Sequence, residues 1–267
     1  MTAVLPDLDS EVSEACVTVS RAEAALGTVV DPELDEPITD LGFVRSVAVD
    51  ASTVEVHLRL PTSFCAPNFA WLMVSDAHEA VAAVAGVERV VVELDDHHDS
   101  DLINRGLAAG AGYRGTFGSE AEDSLDELRA TFLRKGHTAA MERAVTALLR
   151  SDPAVDVAAL TLGDLPAGEH TTEALLRRRV ALGLPTDAAA PVLVLDDGTR
   201  PDPAQAPMVL RRARSVRISV DGNAHFCRGL LTTRYPGSEA DQTPRPDDDD
   251  GRARPVLPLT VLKGTTR

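Results

Sequence analysis

Apolar positions in the first hundred residues follow two different periods, and the changes between them mark out a small set of elements. Ala15, Val19, Ala22, Leu26 and Val29 return at three- and four-residue steps, which predicts a helix over 13–29. Asp31-Pro32 is expected to end it, because proline lacks an amide donor and disfavours α geometry in the residue before it. Over 54–60 the period drops to two: Val54, Val56, Leu58 and Leu60 alternate with Glu55, His57 and Arg59, the mark of a strand with one buried face. A preceding strand over 43–49 joins it through Asp50-Ala51-Ser52, which suits a hairpin. After Pro61 to Pro67 the helical period returns through Phe69, Leu72, Met73, Ala77, Ala80, Val81 and Val84, with Gly86 expected as the cap. A third strand over 87–94 completes an order of helix, strand, strand, helix, strand.

Beyond it the pattern is longer and looser. An amphipathic helix is predicted over 124–149, and another over 172–182 carrying a basic patch at Arg177, Arg178 and Arg179. Apolar runs at 191–195 and 216–220 read as strands, and 222–233 as a helix carrying His225 and Cys227. Residues 236–255, rich in Pro and Asp, read as a solvated, disordered segment, and the apolar run 256–262 as a strand docking back. The fold class is therefore α+β, a compact α-β-β-α-β unit followed by a mixed, largely helical region. The divisions fall at 1–98, 99–235 and an acidic, Pro-rich tail at 236–267.

Composition narrows the classes of function. Aromatics make up 3% of the 267 residues and the net charge is −16, so base-stacking platforms and phosphate attraction are both disfavoured, and no nucleic-acid partner is expected. Cys16, Cys65 and Cys227 are too few and too scattered for a disulfide framework. The first ten residues lack a basic start and an apolar stretch, and no run approaches about 18 apolar residues, so neither secretion nor membrane insertion is expected. The expected location is the cytoplasm, with reduced thiols. Walker, Gly-x-Ser-x-Gly and His-Glu-x-x-His signatures are all missing.

Cys65 is the first candidate for chemistry. It lies in a loop from the end of a buried strand to the start of a helix, where unsatisfied amides favour the thiolate that attacks and that binds soft metals. The competing account is a small buried hydrophobe. Asp95-Asp96-His97-His98-Asp99 mixes imidazole with carboxylate, a set that metals accept, although a solvated turn before the next helix explains it as well. His225 and Cys227 point apart on a helix and meet one ion only if the segment is extended, although Cys227 can approach Cys65 in the fold. Gly110 to Gly115 matches a dinucleotide-binding expression but follows a helix where that motif needs a strand.

Three motifs in order carry a family resemblance: Asp31-Pro32-Glu33, Asp40-Leu41-Gly42, and a loop from Thr62 to Cys65 and Pro67, followed by Ala85-Gly86-Val87. Over about 75 residues the chain resembles the PaaD-like or SufT-like domain of iron–sulfur cluster assembly. It departs from the family in Ala66, inserted between the cysteine and the proline, and in Phe64. The stretch Phe64-Cys65-Ala66-Pro67-Asn68-Phe69 is similar to a subgroup found beside soluble di-iron monooxygenases and their chaperonin. The resemblance implies a non-catalytic maturation factor handling a transient iron or iron–sulfur cluster through Cys65, with a client metalloprotein of that kind as partner. Thr62 is then expected to donate to the sulfur, and Asp31 and Asp40 either to flank it or to serve as turn formers. Because clusters commonly take four thiolates, one cysteine needs help from a second protomer, a partner or an external thiol, and a homodimer is expected. Two alternatives stand beside this: a metal-free chaperone for a monooxygenase, and a cysteine-dependent enzyme using His57 or His78 as base.

Overall fold

The computed structural model describes residues 17–118 and 125–244, and the fold is α+β. Thr18 caps the first helix, α1 (Val19–Leu26), its hydroxyl accepting from the Arg21 amide. The helix stops at Gly27, ahead of Asp31-Pro32, so Val29 lies in the turn that follows it. Two short antiparallel strands, β1 (Val30–Asp31) and β2 (Glu36–Pro37), then frame a turn. The hairpin of β3 (Val44–Asp50) and β4 (Thr53–Arg59) follows, then α2 (Pro67–Ala82), then β5 (Arg89–Asp95). The sheet order is β3-β4-β5, antiparallel then parallel, with Val54, Val56 and Leu58 opposite Val90, Val92 and Leu94. Ala83 caps α2, and Gly86, at φ +92°, turns the chain towards β5.

Burial follows the alternation of β4: Val54, Val56 and Leu58 are sealed while Glu55 faces outward. With Leu26, Ile38, Leu41, Phe43, Met73 and Val81 they make the first core. Each such side chain contributes about 2 kcal/mol on burial.

Two short helices, α3 (Ser100–Ala108) and α4 (Gly112–Phe117), lead to α5 (Asp126–Ser151), α6 (His170–Leu182) and α7 (Ala206–Arg234). A second core gathers Met141, Val145, Leu162, Leu175, Val192 and Ala213. At 29 residues, about 44 Å long, α7 belongs to both cores: Ala206 and Ala213 pack in the second, Ala224 and Leu231 in the first. The strand expected over 216–220 is therefore helix. Its alternation of Val216, Ile218 and Val220 fits both periods, and burial chooses the helical one, with Val220 covered and Ile218 exposed.

The run 191–195 forms no strand either, having one isolated bridge between Thr161 and Pro191. Its carbonyls are claimed by Arg179, which is fully buried. The basic patch is likewise dispersed. Arg178 grips both carboxylate oxygens of Asp35 in the β1–β2 turn, Arg179 points into the second core, and Arg177 alone stays exposed.

Residues 236–244, expected to be solvated and disordered, are mostly exposed, as expected, but form an ordered turn and a 3₁₀ helix (Ser238–Asp241) with Ser238 buried. Gly42 makes room for them. At φ +74° a Cβ there would sit 3.0 Å from Gln242 and 3.3 Å from Leu231. Residues 13–16, Ser124, and the runs 245–255 and 256–262 lie outside the described residues.

His137 of α5 is 5% exposed, and its Nε2 has no hydrogen-bond partner among the described residues. Burial first, then Arg179 and Arg178, push its pKa down from 6.5 to about 4. The unfolded imidazole takes up a proton near 6.5 while the folded one does not until about 4, so stability falls as pH drops through that window. Denaturation at about pH 7 and about pH 5 should show wild type losing about 2 kcal/mol more than His137→Gln. Equal losses would refute the assignment.

Candidate functional site

Cys65 sits in the loop that leaves β4 and enters α2, just before the helix cap Ala66 and Pro67 at the first helical position. The thiol is half-buried and free, and its neighbour Phe64 is 79% exposed. Thr62 Oγ1 lies 3.4 Å from the sulfur and accepts the Phe64 amide at 3.3 Å, which leaves the hydroxyl hydrogen available to the sulfur.

Two other segments hold this loop. His97 is 5% exposed and donates Nε2–H to the Cys65 carbonyl at 2.8 Å, since a carbonyl only accepts. Its Nδ1 accepts the Asp99 amide at 3.1 Å. Both ring nitrogens are thus engaged by protein, and His97 positions the cysteine loop. His98 donates its amide to Ser63 O, and its exposed ring lies 5.6 Å from that of Phe64. From the far end of the chain, Arg234 donates to Leu60 O at 2.9 Å and Ser63 Oγ at 2.8 Å, and also to Asp96 O. Neither the clamp by Arg234 nor the role of His97 was visible in the sequence, which showed only two histidines inside an acidic turn.

The two early aspartates part company. Asp31 is 7% exposed and its Oδ1 accepts the Glu33 and Leu34 amides at 2.9 and 2.8 Å, an Asx turn. Burial outweighs those bonds and pushes its pKa up to about 6. Asp40 instead lines a cavity of about 270 Å³ with Asp35, Arg143 and Arg178, while its carbonyl accepts from Arg228 at 2.7 Å. No residue of the Cys65 loop borders that cavity.

On α7, His225 is exposed beside Phe226, whereas Cys227 turns inward, half-buried against the first core. The two do not face one ion. Burial pushes the Cys227 thiol up to about 12, and Asp31, Cys65 and Glu33 add to the shift in that order. Among the described residues no three His, Cys, Asp or Glu side chains converge to hold a metal.

His57 is committed elsewhere. Its ring bridges Asp95 at 2.9 Å and Glu55 at 3.1 Å, and both carboxylates hold the imidazole above its usual pKa. His78 borders a different pocket with Arg89 and Asn104. Neither histidine hydrogen-bonds to Cys65 among the described residues. No helix among them is long and apolar enough to cross a membrane.

A thiol at a helix entrance, on a five-element α+β unit, places the chain in a class that comparison makes specific. The model of the iron–sulfur cluster assembly protein family matches residues 20–94, which contain Asp31, Asp40, Thr62 and Cys65. An uncharacterized protein of Methanocaldococcus jannaschii is 36% identical over 92 residues, 34% of this chain and 95% of that protein. An iron–sulfur cluster carrier protein of Synechocystis is 33% identical over 78 residues, 29% of this chain. The chain spans only 22% of that carrier's length. Through residues 20–94 the chain belongs to the iron–sulfur cluster assembly protein family.

Proposed function

We propose that this protein is a non-catalytic maturation factor that receives iron or an iron–sulfur cluster at Cys65 and passes it to a client metalloprotein. The observation that carries the reading is the half-exposed thiol within the family-matched stretch, held beside Thr62 at the mouth of α2. The name of the Synechocystis relative, a cluster carrier, supports the same cargo. One chain supplies too few thiolates to retain a cluster permanently, which favours transfer. The exposed Phe64 offers the client an apolar handle beside the sulfur. The resemblance of residues 64–69 to assembly proteins encoded beside di-iron monooxygenases makes such an enzyme, with its chaperonin, the client to try first. Cytoplasmic placement and a homodimer belong to the same reading.

The test is anaerobic incubation with ferrous iron, sulfide and a thiol, followed by visible absorption and iron per chain. Wild type should acquire a chromophore and bound iron, and Cys65→Ala should lose both. Equal iron in the two proteins, or none in either, would overturn the reading.

A further inference from the structure

Four of the large apolar side chains exposed among the described residues lie on α7: Met208, Ile218, Phe226 and Leu230. The helix covers both cores with one face, through Ala206, Ala213, Ala224 and Leu231, and turns the other to solvent. Steps of four, four, three and four residues from Ile218 reach Gly222, Phe226, Gly229 and Thr233, so these five share the outward stripe. Phe226 is 70% exposed, and a Cβ added at Gly222 or Gly229 would meet nothing within 4 Å. Glycine weakens a helix interior, and within one chain neither glycine gains any packing in return. Large and small positions thus alternate along an open apolar stripe.

The charges on the same face are sorted by end. Arg211 and Arg214 are exposed in the early turns of α7, and none of the ion pairs among the described residues involves them. Past the other end, Glu239 is exposed in the 3₁₀ helix, and Asp241, paired with Arg59, is half-exposed. The last-turn carbonyls of α7 add partial negative charge there.

We propose that this face is where two copies of the chain dock, their α7 helices antiparallel about a two-fold axis at the level of residue 224. Phe226 then meets the partner's Gly222, Leu230 meets the partner's Ile218, and Arg211 comes opposite the turn that carries the partner's Glu239. A second copy is the occupant because the stripe complements itself end for end, large against small and positive against negative, and the two-fold axis makes every contact twice. A parallel pair would instead set Phe226 on Phe226 and Arg211 on Arg211.

This deepens the homodimer of the maturation reading by giving it a surface, and it rests on that homodimer. Arg234, which holds the Cys65 loop through Ser63, lies about 15 Å along the helix from the axis. The two loops therefore stand about 30 Å apart along the pair, and neither copy lends its sulfur to the other. The thiolates that Cys65 lacks come from an external thiol or from the client.

Sedimentation of the full chain, reduced, over about 2 to 200 µM measures the pairing, since a single helix pair is a small interface. Wild type should be dimeric at the top of this range. Gly222→Phe fills the hole without meeting its own chain, and it should weaken the dimer at least about tenfold with circular dichroism unchanged. Adding Phe226→Gly exchanges knob and hole and should restore the constant to within about threefold of wild type. Arg211→Glu should weaken it as well, and Glu239→Arg in the same chain should recover most of the loss. A dimer unchanged in Gly222→Phe, or no recovery in either paired variant, would overturn this surface and leave the homodimer standing. A wild type monomeric throughout would overturn both and leave the face to the client or to residues 256–262. Neither result bears on the iron test at Cys65.

Discussion

Arg179→Ala should destabilise the C-terminal region by about 4 to 6 kcal/mol, the sum of three orphaned carbonyls and a cavity. The residue is fully buried, and none of the ion pairs among the described residues involves it. Its Nη1 donates to Pro185 O at 3.0 Å, and its Nη2 to Pro191 O at 2.6 Å and Val192 O at 2.8 Å. Burial holds the arginine below its usual pKa, and Asp187 only partly opposes this. The positive charge is thus stabilised by backbone dipoles, which a shorter side chain cannot replace. Arg179→Met keeps most of the volume and should cost about 3 kcal/mol, which separates the carbonyl contribution from the cavity. Urea denaturation followed by far-ultraviolet circular dichroism measures both. A loss under about 1 kcal/mol in Arg179→Ala would mean that the segment 185–192 finds other donors.

Glu142→Ala should cost about 3 to 5 kcal/mol, because it breaks a buried ion pair from one side only. Glu142 on α5 is 2% exposed and accepts from Arg217 of α7, and from Thr146 at 2.9 Å. Arg217 also reaches Asp221 at 2.7 Å, and Asp221 accepts from Arg143 of α5 at 2.6 Å. The four side chains stitch the two helices together where α7 passes from the second core towards the first. A double-mutant cycle of Glu142→Ala and Arg217→Ala should return a coupling of at least about 1 kcal/mol. Additive losses would show that the pair sits together without stabilising the fold. Cys227 lies about three turns further along the same helix. The Glu142 variant should therefore alkylate faster at Cys227 than wild type does.

The local pattern was a good guide wherever one face of an element packs on one core. The alternation of β4, the stripe of α2 and the hairpin at Ala51, with its φ of +54°, all follow from period and turn chemistry. Cys65 was readable for the same reason, because a buried strand running into a helix start leaves a cysteine little choice of place. The pattern misled where tertiary contacts override local preference. Val216 to Val220 alternates like a strand, yet Arg217 and Asp221 lock it into α7 through α5. Pro191 to Leu195 is apolar like a strand, but a buried arginine consumes the carbonyls a neighbouring strand would need.

By itself the sequence determined the covered faces and periods of β4 and α2, and that one sulfur waits where a strand meets a helix. Only the tertiary structure decided what covers them. Periodicity records that a face of α7 is buried without saying against what. The answer depends on contacts far apart in the chain: Asn223 with Glu33, Arg228 with Asp40, and Arg234 with Ser63. Those pairings leave no local trace, because each is a single polar contact whose partner lies well over a hundred residues away. Together they bring a second thiol to the core that the first one lines.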